Sequence, residues 1–228
     1  MIAIILGDRA RTRGMVMRRA VLIFVKYPEP GRVKTRLAAT VGAERAAEIY
    51  RSMVREVLAG LPDDAAAIAC FDPAARRAEI ERWLDEIHPG KALHFLAQAE
   101  GDLGVRLERA FAAAFALGFE QVAAIGTDCV EIDDAIFRET WTALETKDVV
   151  LGPSEDGGYY VIALAAPCVS LFEKIPWSTE RVLAETQARA ADANLRVHLL
   201  PVRLDVDTEE DWRRARQHLE LPRDNSPS

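Results

Sequence analysis

Three short stretches hold the residues best suited to chemistry. The first, KYPEPGRVKTRL (26–37), gathers Lys26, Arg32, Lys34 and Arg36 around Pro28, Pro30 and Gly31. Proline restricts the backbone and glycine admits a positive-φ turn, so amides freed by the turn can approach anionic oxygens closely. Lys34 would serve there as a mobile point charge and Arg36 as a two-pronged donor, which makes the segment a candidate phosphate cradle. A solvated basic turn accounts for the same composition about equally well. The stretch has neither the Walker spacing nor GxGxxG, so neither a P-loop nor a dinucleotide fingerprint is present.

The second and third stretches are acidic. GTDC (126–129) places Asp128 just past an apolar run, and DVDTEED (205–211) places Asp205 and Asp207 in a carboxylate cluster. An aspartate after a strand is ordinarily a turn former. Asp128 gains weight from the basic loop, because a hard ion such as Mg²⁺ or Mn²⁺ takes one or two carboxylates and completes its shell with water and phosphate. Asp205 and Asp207 are candidates for a second metal contact, while helix capping by Asp207 or Thr208 explains that cluster at least as well. LGPSEDGGYYVIAL (151–164) adds Asp156, able to bond sugar hydroxyls or act as a base, and Gly157 and Gly158, which admit a ligand close to the backbone. Its DG pair is equally a hairpin signal. Trp177 in IPWST is an apolar plate for a sugar or base, or a core residue. The histidines at 88, 94, 198 and 218 form no ligand spacing or triad.

These loops need elements to hold them. Ala20 to Val25 is a continuous apolar run, the pattern of a strand covered on both faces. Residues 42–61 repeat Ala46, Ile49, Tyr50, Met53, Val57 and Leu61 at helical spacing. Further strands are expected at 66–71, 93–98, 121–126, 148–152, 159–164 and 195–202. Helices are expected at 73–87, 102–117, 133–144 and 209–219, with another capped by Ser178 and running to Ala193. Strands separated by helices imply an α/β layered domain with a mostly parallel sheet, in which ligands bind beyond the carboxyl ends of the strands.

At 228 residues and 50% apolar, the chain can bury a substantial core. We expect one domain over 19–221, an N-terminal extension over 1–18 with Met15 or Met17 as alternative starts, and a disordered tail over 222–228. The formal charge of −7 argues against a general nucleic-acid surface. Three scattered cysteines, Cys70, Cys129 and Cys168, indicate neither a disulfide framework nor a zinc site, and a cytoplasmic setting is expected. No apolar run is long enough to span a bilayer. The oligomeric state is not legible.

Taken in order, FVKYPEPGRVKTRL, QAEGDLGVRLERAF, GTDC, LGPSEDGGYYVIAL, IPWST and DVDTEEDW resemble a bacterial GT-A-like glycosyltransferase family. That family is related to the nucleotide-diphospho-sugar transferases and includes arsenosugar-biosynthesis-type, radical-SAM-associated members. The likeness runs from about Val21 to Trp212. It implies a three-layer α/β/α Rossmann-like GT-A fold, a nucleoside-diphosphate sugar donor and Mg²⁺ or Mn²⁺. Residue by residue it matches Lys26, Lys34 and Arg36 to a basic nucleotide loop, Asp128 to a metal-binding aspartate, and Asp156 to Tyr159 to an acceptor-side loop. Asp205 and Asp207 match a late acidic motif. Val130 departs from the usual GTDCP, which loosens the local turn without removing the ligand.

Two chemistries fit this set. In glycosyl transfer, the metal and basic loop neutralise the leaving nucleoside diphosphate while Asp156 orients or deprotonates an acceptor. In nucleotidyl transfer, Lys34 and Arg36 stabilise an α-phosphate and pyrophosphate leaves, as in guanylyltransferases that share a KTR-like loop. A non-catalytic nucleotide-binding protein is the third reading, since fold does not fix activity.

Overall fold

The computed structural model describes residues 18–90 and 92–220. The expected extension, except for Arg18, and the expected tail lie outside the described residues. β1 spans Arg19–Lys26, β2 Ala66–Asp72, β3 Leu93–Ala97, β4 Gln121–Ile125, β5 Val149–Pro153, β6 Tyr159–Leu164 and β7 Val197–Leu199. They form one sheet in the order β3-β2-β1-β4-β6-β5-β7. β1 lies parallel to both β2 and β4, with Leu22 opposite Ile68 on one side and Ala124 on the other. β6 runs antiparallel to β4 and β5, so the sheet is mostly parallel.

The continuous apolar runs follow from burial on both faces. In β1, Val21, Ile23 and Val25 enter a core with α2 (Ala43–Ala59), α3 (Arg77–Ile87) and α5 (Asp134–Leu144). Ala20 and Leu22 point the other way, into a core with α4 (Leu103–Ala116) and α6 (Val182–Asp192). Successive strand residues face opposite sides, so a strand between two helical layers needs apolar side chains at every position. The result is three layers, helices on both faces of the sheet.

A third apolar cluster matters more for function. Leu37 of α1 (Thr35–Val41), Ala46, Ile49 and Met53 of α2, Val130, Leu204, Val206 and Ala215 of α7 (Glu209–Glu220) pack together. Val130 is 1% exposed. The residue that departs from the GTDCP pattern is therefore an apolar anchor, and burying such a side chain contributes about 1.5–3 kcal/mol. This cluster draws three sequence-distant loops to one place.

Several expected elements differ in extent. α1 was not expected; it begins after a left-handed Lys34 with no side-chain cap and buries only Leu37. Pro73 to Arg76 precede α3 as an extended residue and a 3-10 turn rather than as its first turn. Ser178 does not cap α6: it has φ 63°, and the helix starts at Val182 after Arg181. Thr179 serves the entry instead, its Oγ1 accepting the Arg181 amide at 3.3 Å. The expected strand at 195–202 shortens to β7, because only three residues pair with β5. All three cysteines are free. Among the described residues no helix is long and apolar enough to cross a membrane.

Candidate active site

Chain order and sheet order diverge at β1. From β1 the chain crosses to β2 on one side and later returns to place β4 on the other, which opens a crevice at the carboxyl ends of these strands. A cavity of about 730 Å³ occupies that position, lined by Lys26, Lys34, Arg36, Asp128, Asp205, Asp207 and Tyr159 among others. Thus the basic loop, GTDC and the late acidic motif converge across the sequence.

The basic loop is shaped as its composition demands. Gly31 has φ 79°, and Arg32 donates its amide to the Glu29 carbonyl at 3.0 Å to close the turn. Lys34 follows with φ 47°, a left-handed conformation uncommon for a side-chain-bearing residue. Its side chain is only 5% exposed, and its ammonium meets Asp128 Oδ1 at 2.8 Å and Asp207 Oδ1 at 3.1 Å. It also donates to the Val206 carbonyl. Burial works against this ammonium, but Asp128 and then Asp207 outweigh it and raise the pKa above the ordinary lysine value. Arg36, 74% exposed, reaches Asp207 Oδ2 at 3.1 Å. The Val206 amide donates to the Asp128 carbonyl at 2.9 Å, which fastens the late loop to the end of β4.

Asp205 is the uncompensated member. Its Oδ1 is buried without a hydrogen-bond partner. Burial first, then repulsion from Asp128 and Asp156, pushes its carboxyl up to about 7. Among the described residues, no three metal-ligating side chains converge as an all-protein cage. A magnesium- or manganese-type ion needs only one or two carboxylates when phosphate and water supply the rest. Asp128 with Asp205 fits that partial donor set, and the orphaned Asp205 oxygen is the feature a cation would satisfy.

Other sequence candidates stand differently. Asp156 Oδ1 accepts the Ser154 hydroxyl at 2.5 Å and the Gly158 amide at 3.0 Å, holding its own turn. Gly157 has φ 86°, and a Cβ there would lie 2.2 Å from the Glu180 carbonyl oxygen. Its neighbour is thus another loop rather than the cavity. Asp156, Gly157, Gly158 and Gly31 do not line the cavity, while Tyr159 does. Trp177 packs against the α4 and α6 core, and Gly104 makes room for it, since a Cβ there would lie 2.8 Å from its Nε1.

Sequence reading singled out no role for three residues that organise the cavity. Tyr50 lies in the apolar stripe of α2, yet its hydroxyl accepts the Lys26 amide at 3.0 Å and the Thr127 hydroxyl at 3.2 Å, joining the exits of β1 and β4. Gln98 donates to the Cys70 carbonyl at 2.8 Å and accepts from Arg106 at 3.1 Å, fixing a guanidinium at the far wall. The QAEGDLGVRL stretch was the available signal for the latter pair.

A family model described as "Uncharacterized protein conserved in bacteria (DUF2064)" matches residues 58–179. The crystal structure of a candidate nucleotide-diphospho-sugar transferase from Desulfovibrio desulfuricans G20 is 33% identical, with a TM-score of 0.83 over 91% of this chain and 90% of that chain. A 4-diphosphocytidyl-2C-methyl-D-erythritol synthase from Anaerococcus prevotii DSM 20548 has a TM-score of 0.61 at 11% identity, over 90% and 99% of the two chains. A Mycobacterium tuberculosis H37Rv protein crystallised with manganese has a TM-score of 0.52 at 14% identity, over 87% and 97%. No curated protein matches significantly. The architecture is that of a nucleotide-diphospho-sugar transferase, a GT-A-like fold.

Proposed function

Because the chain belongs to the bacterial DUF2064 family and has the fold of a nucleotide-diphospho-sugar transferase, we propose that it is a metal-dependent transferase using a nucleoside-diphosphate sugar. The observation that carries this reading is the convergence of Lys34, Arg36, Asp128, Asp205 and Asp207 on one cleft at the sheet's switch point. Lys26 and Arg36 line the mouth and bind the diphosphate, Arg36 through its planar fork. Lys34 adds positive charge where the leaving diphosphate becomes more negative. Asp128 and Asp205 hold the divalent ion, with Asp207 orienting Lys34 and Arg36. When bound, Mg²⁺ or Mn²⁺ supplies Lewis-acid stabilisation of the phosphate oxygens. Asp156 supports the site by holding the β5–β6 turn beside Asp205. Membership of the arsenosugar-biosynthesis-type, radical-SAM-associated group belongs to the same proposal, on the strength of the motif resemblance alone.

A second reading is nucleotidyl transfer, favoured by the basic KTR loop and by the shared fold with a diphosphocytidyl synthase. One experiment separates the two. The protein is incubated with Mn²⁺ or Mg²⁺ and panels of nucleoside triphosphates with sugar phosphates, or of nucleotide sugars with candidate acceptors. Release of nucleoside diphosphate from a sugar donor supports glycosyl transfer. Pyrophosphate from a triphosphate supports the second reading, and binding without either product overturns both.

A further inference from the structure

The Lys34 ammonium raises a question that its proposed role does not answer. An ammonium has three N–H donors. Here Asp128 Oδ1, Asp207 Oδ1 and the Val206 carbonyl take them, and the side chain is almost fully enclosed. In this arrangement Lys34 has no donor left for a phosphate. The Asp128 oxygen nearest the ammonium already accepts one of its N–H groups, so an ion on Asp128 would share that carboxylate with a second positive charge.

We propose that Lys34 is a resident cation of this site, displaced when a divalent ion binds, so that loading the ion frees the ammonium for the diphosphate. This inference rests on the metal reading of the proposed function. Two cations a few ångströms apart repel strongly in a partly dehydrated site, so an ion on Asp128 and an ammonium on Asp128 oppose one another. Charge balance favours the exchange. Asp128, Asp205 and Asp207 face Lys34 and Arg36, and the buried Asp205 Oδ1 has no partner. Replacing a singly charged group with a doubly charged ion brings the positive charge that Asp205 lacks. Arg36 keeps Asp207 compensated through Oδ2 while Lys34 leaves Oδ1. The long flexible lysine stem allows the ammonium to swing out without moving the α1 anchor at Leu37.

Without metal, Lys34 keeps the carboxylates paired; with it, the cleft gains both an ion and a free ammonium. Metal and diphosphate binding are then coupled, each favouring the other equally. A lysine pin that stays in place would also repel the ion, but its ammonium would remain enclosed when the ion is bound; exposure of Lys34 on metal loading is what displacement alone predicts.

The test titrates Mn²⁺ alone, without nucleotide, into wild-type protein and Lys34→Met, followed by electron paramagnetic resonance. Removal of the competing ammonium is expected to tighten Mn²⁺ binding about tenfold, within the usual range of coupling between sites. Equal or weaker binding by the variant overturns the displacement while leaving the metal reading intact. Absence of Mn²⁺ binding by both proteins overturns both. A second measurement needs no variant: reductive methylation of wild-type Lys34, read by mass spectrometry, should accelerate several-fold in Mg²⁺ alone. An unchanged rate overturns the proposal.

Discussion

The loop after β1 and the loop between β5 and β6 leave the same edge of the sheet, and both combine glycine with charge, yet their chemistry is opposite. The β5–β6 loop holds its aspartate with its own turn and pairs its glutamate with α7. Asp156 accepts from Ser154 and Gly158, and Glu155 forms a two-pronged pair with Arg214 at 2.9 and 3.1 Å. The β1 loop pairs Arg32 with Glu29 locally at 3.3 Å, but its buried charge is satisfied only by borrowing. Lys34 must reach more than 170 residues along the chain to Val206 and Asp207, and the acids it meets remain partly uncompensated at Asp205. A loop whose exposed charges are paired and whose aspartate is held by its own turn is scaffold. One whose charges balance only across the fold is where a charged ligand finds something to gain.

The largest expected effect tests the borrowed charges. Asp128→Asn should lower transferase turnover about 10²- to 10³-fold, the scale of losing a major electrostatic stabiliser, and should lower the unfolding midpoint as well, because the enclosed Lys34 ammonium loses its nearest carboxylate. Full activity in steady-state assays would remove Asp128 from the mechanism. On the β5–β6 side the loss falls on stability alone. Gly157→Ala forces a side chain at φ 86° against the Glu180 carbonyl and should cost about 3 kcal/mol in urea unfolding.

Asp205 gives a pH signature. An unfolded aspartate loses its proton near pH 4, whereas the folded protein retains this one to about 7. Between those values the folded state binds more protons, so its stability falls as pH rises through the window. In chelator, Asp205→Asn should therefore be more stable than wild type at pH 8, by up to about 4 kcal/mol, and close to it near pH 4. A difference independent of pH would contradict the origin assigned to the shift. The smallest effect is at Asp156: Asp156→Asn should cost about 1 kcal/mol of stability and leave turnover within about threefold. A loss of several hundredfold would make it a catalytic group and erase the contrast between the loops.

Much of the fold was legible because its signals are local. Residues 20–25 and 121–126 read as buried strands, since a strand between two helical layers can admit no polar alternation. Asp102 and Asp133 stand at the starts of α4 and α5, where each accepts an amide at 3.0 Å. The errors share a cause as well. α1 lacks a capping side chain and an apolar stripe, so nothing within seven residues announces it. Ser178 has the chemistry of a cap, but its positive φ belongs to a turn packed against the Gly157 loop, a constraint set by a distant segment. Tyr50 looked like core because it is core; only its hydroxyl end meets Lys26 and Thr127.

By itself the sequence determined the layered α/β order, the turn that carries KTR out of β1, and the types of group available for phosphate and metal. These depend on backbone preference and hydrophobic spacing, which act over a few residues. The tertiary structure alone decided that Lys34 faces Asp128 and Asp207, that Asp205 Oδ1 lies buried beside them without a hydrogen-bond partner, and that Asp156 Oδ1 is held by its own turn. Those outcomes follow from the third apolar cluster, where Leu37, Val130, Leu204 and Val206 meet. Burial energy is blind to sequence distance, so it can gather charges that no local rule would pair.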